Sequence, residues 1–366
     1  MTAKLTNPFH VVFPAIRKTK KGGMLCAGAV LWMLAMALFP AAACSQDSHE
    51  GPLKTFTFYW ENDTFTGTDQ DYSNGLKMTW SQPYQPVAAG KTDIQEWVFK
   101  HLPFSSNSSS SKATDFSIGQ SMYTPKDTSR SDLIVNDRPY AGYLFLDYGF
   151  ISRSGNRRDV WEFEIGVVGP WSLAEITQNK VHDLIGSSRA QGWDHQLGNE
   201  LGLGAIYEAK WQLGHLGSQH GFEVDLLPHM GAQAGNINTS IKAGAELRFG
   251  WLIPRDFGSC PIRPGCDAGD VLNNGLEEWG RRNKFGIHFF AAFEGRLVLR
   301  DIFLDGNTFR DSHSVDKEIF VADLVGGIAL TYGRLKINYA LVLRTPEFKQ
   351  REDKHTFGAI NVSYAY

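Results

Sequence analysis

Beyond residue 45 the chain contains no apolar run approaching 18 residues, which excludes membrane-spanning helices. Charge is sparse: Asp, Glu, Lys and Arg make up 20% of the sequence, against about 25% in an ordinary soluble domain. Cysteine is sparser, with four in 366 residues, and only Cys260 and Cys266 lie close together. They flank Pro-Ile-Arg-Pro-Gly, a spacing that suits a small loop-closing disulfide in an oxidising compartment. No histidine stands at ligand spacing from them, which argues against zinc. Five of the 36 bases and none of the 39 acids fall within the first 44 residues. The remainder holds 31 bases against 39 acids, a net charge of −8 that argues against nucleic-acid binding. Aromatic residues are plentiful, with 24 Phe, 12 Tyr and 10 Trp beside 37 Gly. That mixture excludes a disordered chain, a coiled coil and a collagen-like repeat. The length fits two soluble domains or one large barrel.

Residues 1–44 read as a signal peptide. Arg17, Lys18, Lys20 and Lys21 precede an apolar run from Met24 to Phe39, then Pro40 and Ala41-Ala42-Ala43. A basic stretch, a short apolar stretch and a small-residue cleavage site follow the order expected of a secretory signal. Met24 is an alternative start, and Cys44 after the alanines leaves lipid anchoring as an alternative to simple cleavage. The domain division expected is therefore 1–44 signal peptide and 45–366 a single membrane barrel.

The mature part alternates. Phe56, Phe58 and Trp60 interleave with Thr55, Thr57, Tyr59 and Glu61; Trp161, Phe163 and Ile165 interleave with Glu162 and Glu164. Leu335, Ile337, Tyr339 and Leu341 interleave with Lys336 and Asn338. Period-two patterning of this kind gives strands with one apolar and one polar face. In a soluble sandwich the apolar faces turn inward; in an outer-membrane barrel they face lipid and the polar faces line the interior. The export signal, strands of ten or more residues, abundant aromatics and an aromatic final strand residue, Tyr366, favour the barrel. The expected class is all-β, a transmembrane antiparallel barrel of about twelve strands at 53–62, 74–84, 113–122, 141–153, 158–168, 196–214, 219–230, 236–252, 284–305, 318–332, 334–345 and 355–366. So many charged side chains facing a small bore suggest a narrow or plugged lumen.

With the N-terminus periplasmic, odd-numbered connections are extracellular. Ser154–Arg157, His215–Ser218 and Tyr332–Gly333 are tight, as periplasmic turns are. The connections at 85–112 and 253–283 are long for that side; the first carries a possible helix at Asp93–His101 and a Ser-rich run at Ser105–Ser111.

Three extracellular connections hold chemistry. The first runs from Glu61-Asn62-Asp63 to Asp69-Gln70-Asp71-Tyr72-Ser73, and Asn62 and Asp63 offer hard oxygens of the kind Ca²⁺ takes. It reads equally as a solvated hairpin tip. The third holds Lys126 and Arg138, which can meet a phosphate as a point charge and as a bidentate fork, or form a basic rim toward lipopolysaccharide. The fifth carries the one clear helical pattern in an extracellular loop, Ala174–Gly186, with Ile176, Val181, Leu184 and Ile185 as an apolar stripe. Gln178 and His182, four apart, share a helix face. His182 there can act as a general base, or be an ordinary surface histidine. Strand parity places all three connections at the extracellular mouth.

Glu61-Asn62-Asp63, Asp71-Tyr72-Ser73-Asn74-Gly75, Asp137-Arg138-Pro139-Tyr140-Ala141-Gly142, Gly166–Pro170 and Gln178-Asn179-Lys180-Val181-His182, in that order, resemble the outer-membrane lipid A 3'-O-deacylases. The resemblance is densest between about 58 and 200. It implies a twelve-stranded outer-membrane barrel that acts on lipid A of lipopolysaccharide, a Ca²⁺-dependent hydrolase removing the 3'-linked acyloxyacyl group. It implies His182 as general base activating water, Asn62 and Asp63 at the metal, and Gln178 and Ser73 as further active-site positions. It implies Lys126 as a substrate-side lysine, and the Arg138 guanidinium is expected to bind substrate beside it. Where the family carries a carboxylate six residues after the base, this chain has Ser188, so either Asp183, Asp194 or Glu200 replaces it or the activity is altered. The alternative readings are an outer-membrane phospholipase with a serine nucleophile and a non-enzymatic porin-like barrel.

Overall fold

The alternation becomes a closed sheet. A computed structural model describes residues 53–63, 71–86, 93–105, 110–217, 221–259, 285–351 and 353–366. The signal-like segment, the Cys260–Cys266 loop, Asp69 and Gln70 lie outside the described residues, as do the middle of the Ser-rich run and most of 253–283.

The strands are β1 (Thr55–Asn62), β2 (Asp71–Pro83), β3 (Ser111–Thr124), β4 (Ala141–Ser154), β5 (Arg157–Val168), β6 (Glu200–Trp211), β7 (Leu213–Gly217), β8 (Phe222–Gly235), β9 (Asn238–Trp251), β10 (Phe285–Asp301), β11 (Phe320–Tyr332), β12 (Leu335–Arg344) and β13 (His355–Ala365). Neighbours pair antiparallel from β6 back through β1 to β13 and down to β7, and β6 also pairs with β8, from Gly204↔Gly235 to Lys210↔His229. That pairing closes the sheet. β6 and β7 are one barrel strand interrupted at Gln212, so twelve staves are present, as the periodicity implied.

Two boundaries differ from expectation. Strand pairing continues through His215, so the tight turn expected at His215–Ser218 begins later. The ninth expected strand stops at Asp301, whose side chain caps a short helix, α3 (Ile302–Asp305), instead of extending to 305. The helix at 93–101 is present as α1 (Ile94–His101), capped by the Asp93 carboxylate, which accepts from the Glu96 amide at 3.0 Å. The helix in the fifth connection is α2 (Ala174–Ile185).

Apolar side chains point out and charges point in. In β1 Thr55, Thr57, Tyr59 and Glu61 are buried, whereas Phe56, Phe58 and Trp60 are not. Outward Leu146, Phe163, Ile165, Leu203, Phe293 and Leu324 are all exposed. Inward Lys77, Asp147, Glu208, Arg248 and Asp323 are all buried. This inverts a soluble domain and suits a barrel whose outer solvent is hydrocarbon. Among the described residues no helix is long and apolar enough to cross a membrane; the strands make the crossing.

The bore is filled. Lys77 meets Asp147 at 3.2 Å, Lys242 meets Glu208 at 2.6 Å, and Asp323 takes Arg344 at 2.9 Å and Arg296 at 3.2 Å. From the turn end, residues 252–259 fold upward into the lumen. Asp256 there accepts from Lys336 at 2.5 Å and from Arg248, which also binds Asp225 at 2.5 Å, and the Ser259 amide donates to Glu246 at 3.1 Å. From the other end α3 drops Ile302, Phe303 and Leu304 inward, with Phe303 stacked on Tyr123 at 4.1 Å. Between these plugs a cavity of about 180 Å³ remains, lined by groups including Glu61, Lys77, Tyr143 and Glu164. The described start of the long connection, residues 253–259, thus has a structural role: it stoppers the barrel.

Arg248 is the key of that stopper, fully buried between two carboxylates. Arg248→Ala is expected to lower unfolding stability in detergent by about 3–5 kcal/mol, because Asp225 and Asp256 stay buried without their partner. Denaturant titration of the purified barrel checks this.

Candidate active site

Directly opposed residues share a face, so register places the site. Asn62 pairs with Asn74, Asn74 with Met122, and Met122 with Gly142. Asn62 continues the outward series Phe56, Phe58, Trp60. The whole row therefore lies on the outer wall at the extracellular end, spanning three strand spacings, or about 14 Å. Ser73 is the bulge residue of β2, between the Tyr72 and Asn74 pairings; its side chain is outside the described residues. Asp63 follows the end of β1 and is fully buried.

Met122 occupies a lipid-facing position yet is completely buried, in a cluster with Tyr140, Ala174, Ala190 and Trp193. What covers it is α2, lying against the outside of β3 and β4. Gly142 makes room: a Cβ there would sit 2.1 Å from Ser172 Oγ and 2.3 Å from Ala174 Cβ. The approach is pinned by Gly169 N–H donating to Gly142 O at 2.9 Å and Gln120 Nε2 donating to Ser172 O at 2.6 Å. The helix begins at Leu173, held left-handed at φ 60°, and ends at Gly186, φ 71°, whose conformation lets the Gly186 and Ser187 amides satisfy His182 O.

Ala174, Gln178 and His182 are the buried stripe of α2. Ile176 and Leu184 of the expected apolar stripe face away from the wall, exposed together with Trp171 and Leu173. The amphipathic pattern is thus turned over: Gln178 and His182 face the wall, while Ile176 and Leu184 face away from it. Gln178 Oε1 accepts from Trp193 Nε1 at 2.7 Å, so its amide NH₂ is the end available for donation. His182 Nδ1 lies 2.6 Å from Ser188 O. A carbonyl only accepts, so Nδ1 carries a proton and donates to it.

That contact meets Nδ1 with a backbone carbonyl where the sequence suggested a substitute carboxylate. The position six residues after His182 orients it through its backbone carbonyl. Asp183 is instead paired with Arg189 at 2.5 Å, which holds its carboxyl below the ordinary range. Glu200 is taken by the Thr308 amide at 2.8 Å and by Asn236 and Asn307.

The substrate-side residues separate. Lys126 is exposed and pairs with Asp353 at 3.1 Å, while its amide donates to Asp137 at 2.8 Å. Arg138 is 1% exposed: it covers the Tyr123 ring at 4.8 Å and reaches Glu347 at 3.2 Å. Burial alone would raise the Glu347 carboxyl, but the Arg344, Arg138 and Arg296 guanidiniums outweigh it and hold the group at about 2. Among the described residues no group of three or more His, Cys, Asp and Glu side chains is placed to hold a metal. The donors at Asn62 and Asp63 are all hard oxygens, which suits Ca²⁺ in kind, with Asp63 the one carboxylate of the pair.

Sequence reasoning missed Trp193, the Ser188 carbonyl and the Met122–Gly142 platform. The Gly142 landmark and the Trp193 aromatic were visible, but nothing in their spacing said that a helix would lie between them.

These features define a closed outer-membrane β-barrel whose polar site is sandwiched between its outer wall and a loop helix. The family model described as "Outer membrane protein LpxR" matches residues 30–366, so the chain belongs to that lipid A 3'-O-deacylase family. LpxR from Salmonella typhimurium has a similar structure, with a TM-score of 0.67 at 19% identity, covering 85% of this chain and 99% of that one. The β domain of the Bordetella autotransporter BrkA (TM-score 0.39, 8% identity, 86% of this chain and 98% of that one) matches more weakly. So does the translocator domain of NalP from Neisseria meningitidis (0.33, 13%, 93% and 96%). No curated protein sequence matches the chain.

Because the carbonyl, not the side chain, orients His182, Ser188→Ala is expected to leave stability within about 0.5 kcal/mol and catalysis unchanged. Trp193→Phe, which strips the donor from Gln178, is expected to cost about 1 kcal/mol. Both are read by thermal unfolding and lipid hydrolysis. Glu347, depressed from 4.5 to about 2, contributes stability that is complete above 4.5 and lost as pH falls through about 2. The stability gap between wild type and Glu347→Gln is expected to shrink steadily on acidification, measured by melting at stepped pH.

Proposed function

We propose that this protein hydrolyses the 3'-linked acyloxyacyl ester of lipid A. The observation that carries the reading is His182 itself. It is buried on the wall-facing stripe of α2, with Nδ1 donating to the Ser188 carbonyl, so the imidazole is held in a fixed orientation beside the wall. A substrate whose ester lies near the headgroup boundary meets such a site from the bilayer side, without entering the filled lumen.

In the reaction Nε2 accepts a proton from water, and the resulting hydroxide adds to the ester carbonyl. The tetrahedral intermediate collapses, the protonated imidazole returns its proton to the departing 3'-oxygen of the sugar, and the fatty acid leaves. The Gln178 amide, anchored by Trp193, is a donor for the substrate or the attacking water. Ser73, at the β2 bulge, is the remaining active-site position of this reading. Asn62 and Asp63 would hold Ca²⁺, which supplies charge stabilisation for the oxyanion when bound. Exposed Lys126 meets an anionic group of the lipopolysaccharide headgroup, displacing Asp353. Arg138 serves substrate binding indirectly, by fixing the loop that carries Lys126 through Glu347 and Tyr123.

The decisive experiment is mass spectrometry of lipid A from cells expressing wild type or His182→Ala, with and without a chelator. Loss of one acyloxyacyl unit in the wild type only, abolished by chelation, is the expected result; removing the base is expected to slow hydrolysis by about 10²–10⁴-fold. Unaltered lipid A with folded barrel in the outer membrane would overturn the reading. Cleavage of phospholipid that a serine-directed reagent blocks would replace it with a serine lipase.

A further inference from the structure

The second long turn-side connection also folds onto the barrel, but outside it. Residues 93–105 cross the outer wall at the end where the chain termini meet, marked by Lys54 N–H donating to Tyr366 O at 2.9 Å. That is the periplasmic end, opposite α2. Phe99 of α1 is fully buried between Tyr84 and Phe150, with ring centroids 5.3 Å from each, and Phe150 points outward from β4. Gln95 Nε2 donates to Tyr148 Oη at 2.6 Å, Trp161 Nε1 donates to Pro103 O at 3.0 Å, and Phe104 packs on Tyr207 at 5.5 Å. The segment is therefore strapped across β4, β5 and β6 on the lipid-facing side.

Its other face is apolar and uncovered. Ile94 is 73% exposed, Trp97 60% and Phe104 61%. Trp97 lies 4.3 Å from the His101 ring, Lys100 pairs with Glu96 at 2.8 Å, and Lys112 sits 5.1 Å over Phe99. Bulky apolar groups among bases, with an indole at the boundary, match an in-plane interfacial helix. The surface is continuous with the exposed apolar wall of Trp80, Phe116 and Phe163, so one phase covers both.

We infer that α1 is a membrane anchor that docks on the phospholipid of the periplasmic leaflet. Its Ile94–Trp97–Phe104 face lies at the headgroup–acyl boundary, and Lys100, His101 and Lys112 lie at headgroup level. The anchor fixes the depth of β3–β6. These are the strands that carry α2 at the opposite end, so it sets the height of that helix relative to the outer leaflet.

The test uses the full chain reconstituted into phosphatidylcholine vesicles, with and without phospholipid brominated near the glycerol end of its acyl chains. The fluorescence difference between wild type and Trp97→Phe isolates Trp97; the exposed, conservative change leaves the barrel intact, as heat-modifiable gel mobility would verify. Bromolipid is expected to quench that component by about half or more, with aqueous iodide having little effect. Quenching by iodide but not bromolipid would place the face in the periplasm and overturn the proposal. A component shielded from both would mean a protein partner or a second copy covers it, and would overturn it equally.

Discussion

In a hydrocarbon layer no water can satisfy the free edge of a sheet, so the contact on which this molecule depends is the pairing of β6 with β8 that turns thirteen strands into a closed wall. Closure imposes everything that follows. It gives every strand an inside and an outside, and the period-two alternation then sends apolar side chains to lipid and ionisable ones to a bore too narrow for bulk water. The best-held of the buried charges are paired: Arg248 between Asp225 and Asp256, Asp323 between Arg344 and Arg296. A segment from each end then completes the filling.

The lumen is filled, and the chain stacks loop helices against its outer wall. Two outer-wall helices result, one at each end, held by the same device. A side chain that would otherwise face lipid, Met122 at one end and Phe150 at the other, is roofed by a loop helix. The helices differ in what they put underneath. Beneath α1 lies an aromatic cluster, suited to anchoring; the underside of α2 carries Gln178 and His182 beside a row of Asn62 and Asn74, suited to a reaction at a lipid ester. Polar groups survive this close to hydrocarbon because the helix shields them and each has a designated partner, Trp193 for Gln178 and the Ser188 carbonyl for His182.

Much of this was legible residue by residue. Strand alternation located every stave within a few residues, since a one-residue slip would exchange the lipid and lumen faces of a whole strand. Failures came where alternation gives no signal: the break at Gln212, and α3, where Asp301 caps a helix in the middle of an apolar stretch. The site was half legible. Gln178 and His182 stood out by helical spacing, and Asn62 and Asp63 by residue type. Their partners did not, because a backbone carbonyl such as that of Ser188 leaves no mark in the identity of the residue that carries it. Arg138 shows the opposite error: a guanidinium in a polar loop reads as a ligand-binding fork, and only packing reveals it locked on Glu347 beneath the surface.

The sequence by itself thus determined the class of fold, the strand positions and the helix that bears the histidine. These follow from local periodicity and chain parity, which need no knowledge of distant contacts. Tertiary structure alone decided that the site lies on the outer wall, that α2 turns its polar stripe inward, and that residues 252–259 stopper the bore. Each of those depends on which non-local surface a segment meets. The glycine gap at Gly142 and the carboxylates awaiting Lys336 and Arg248 exist only once the sheet has closed.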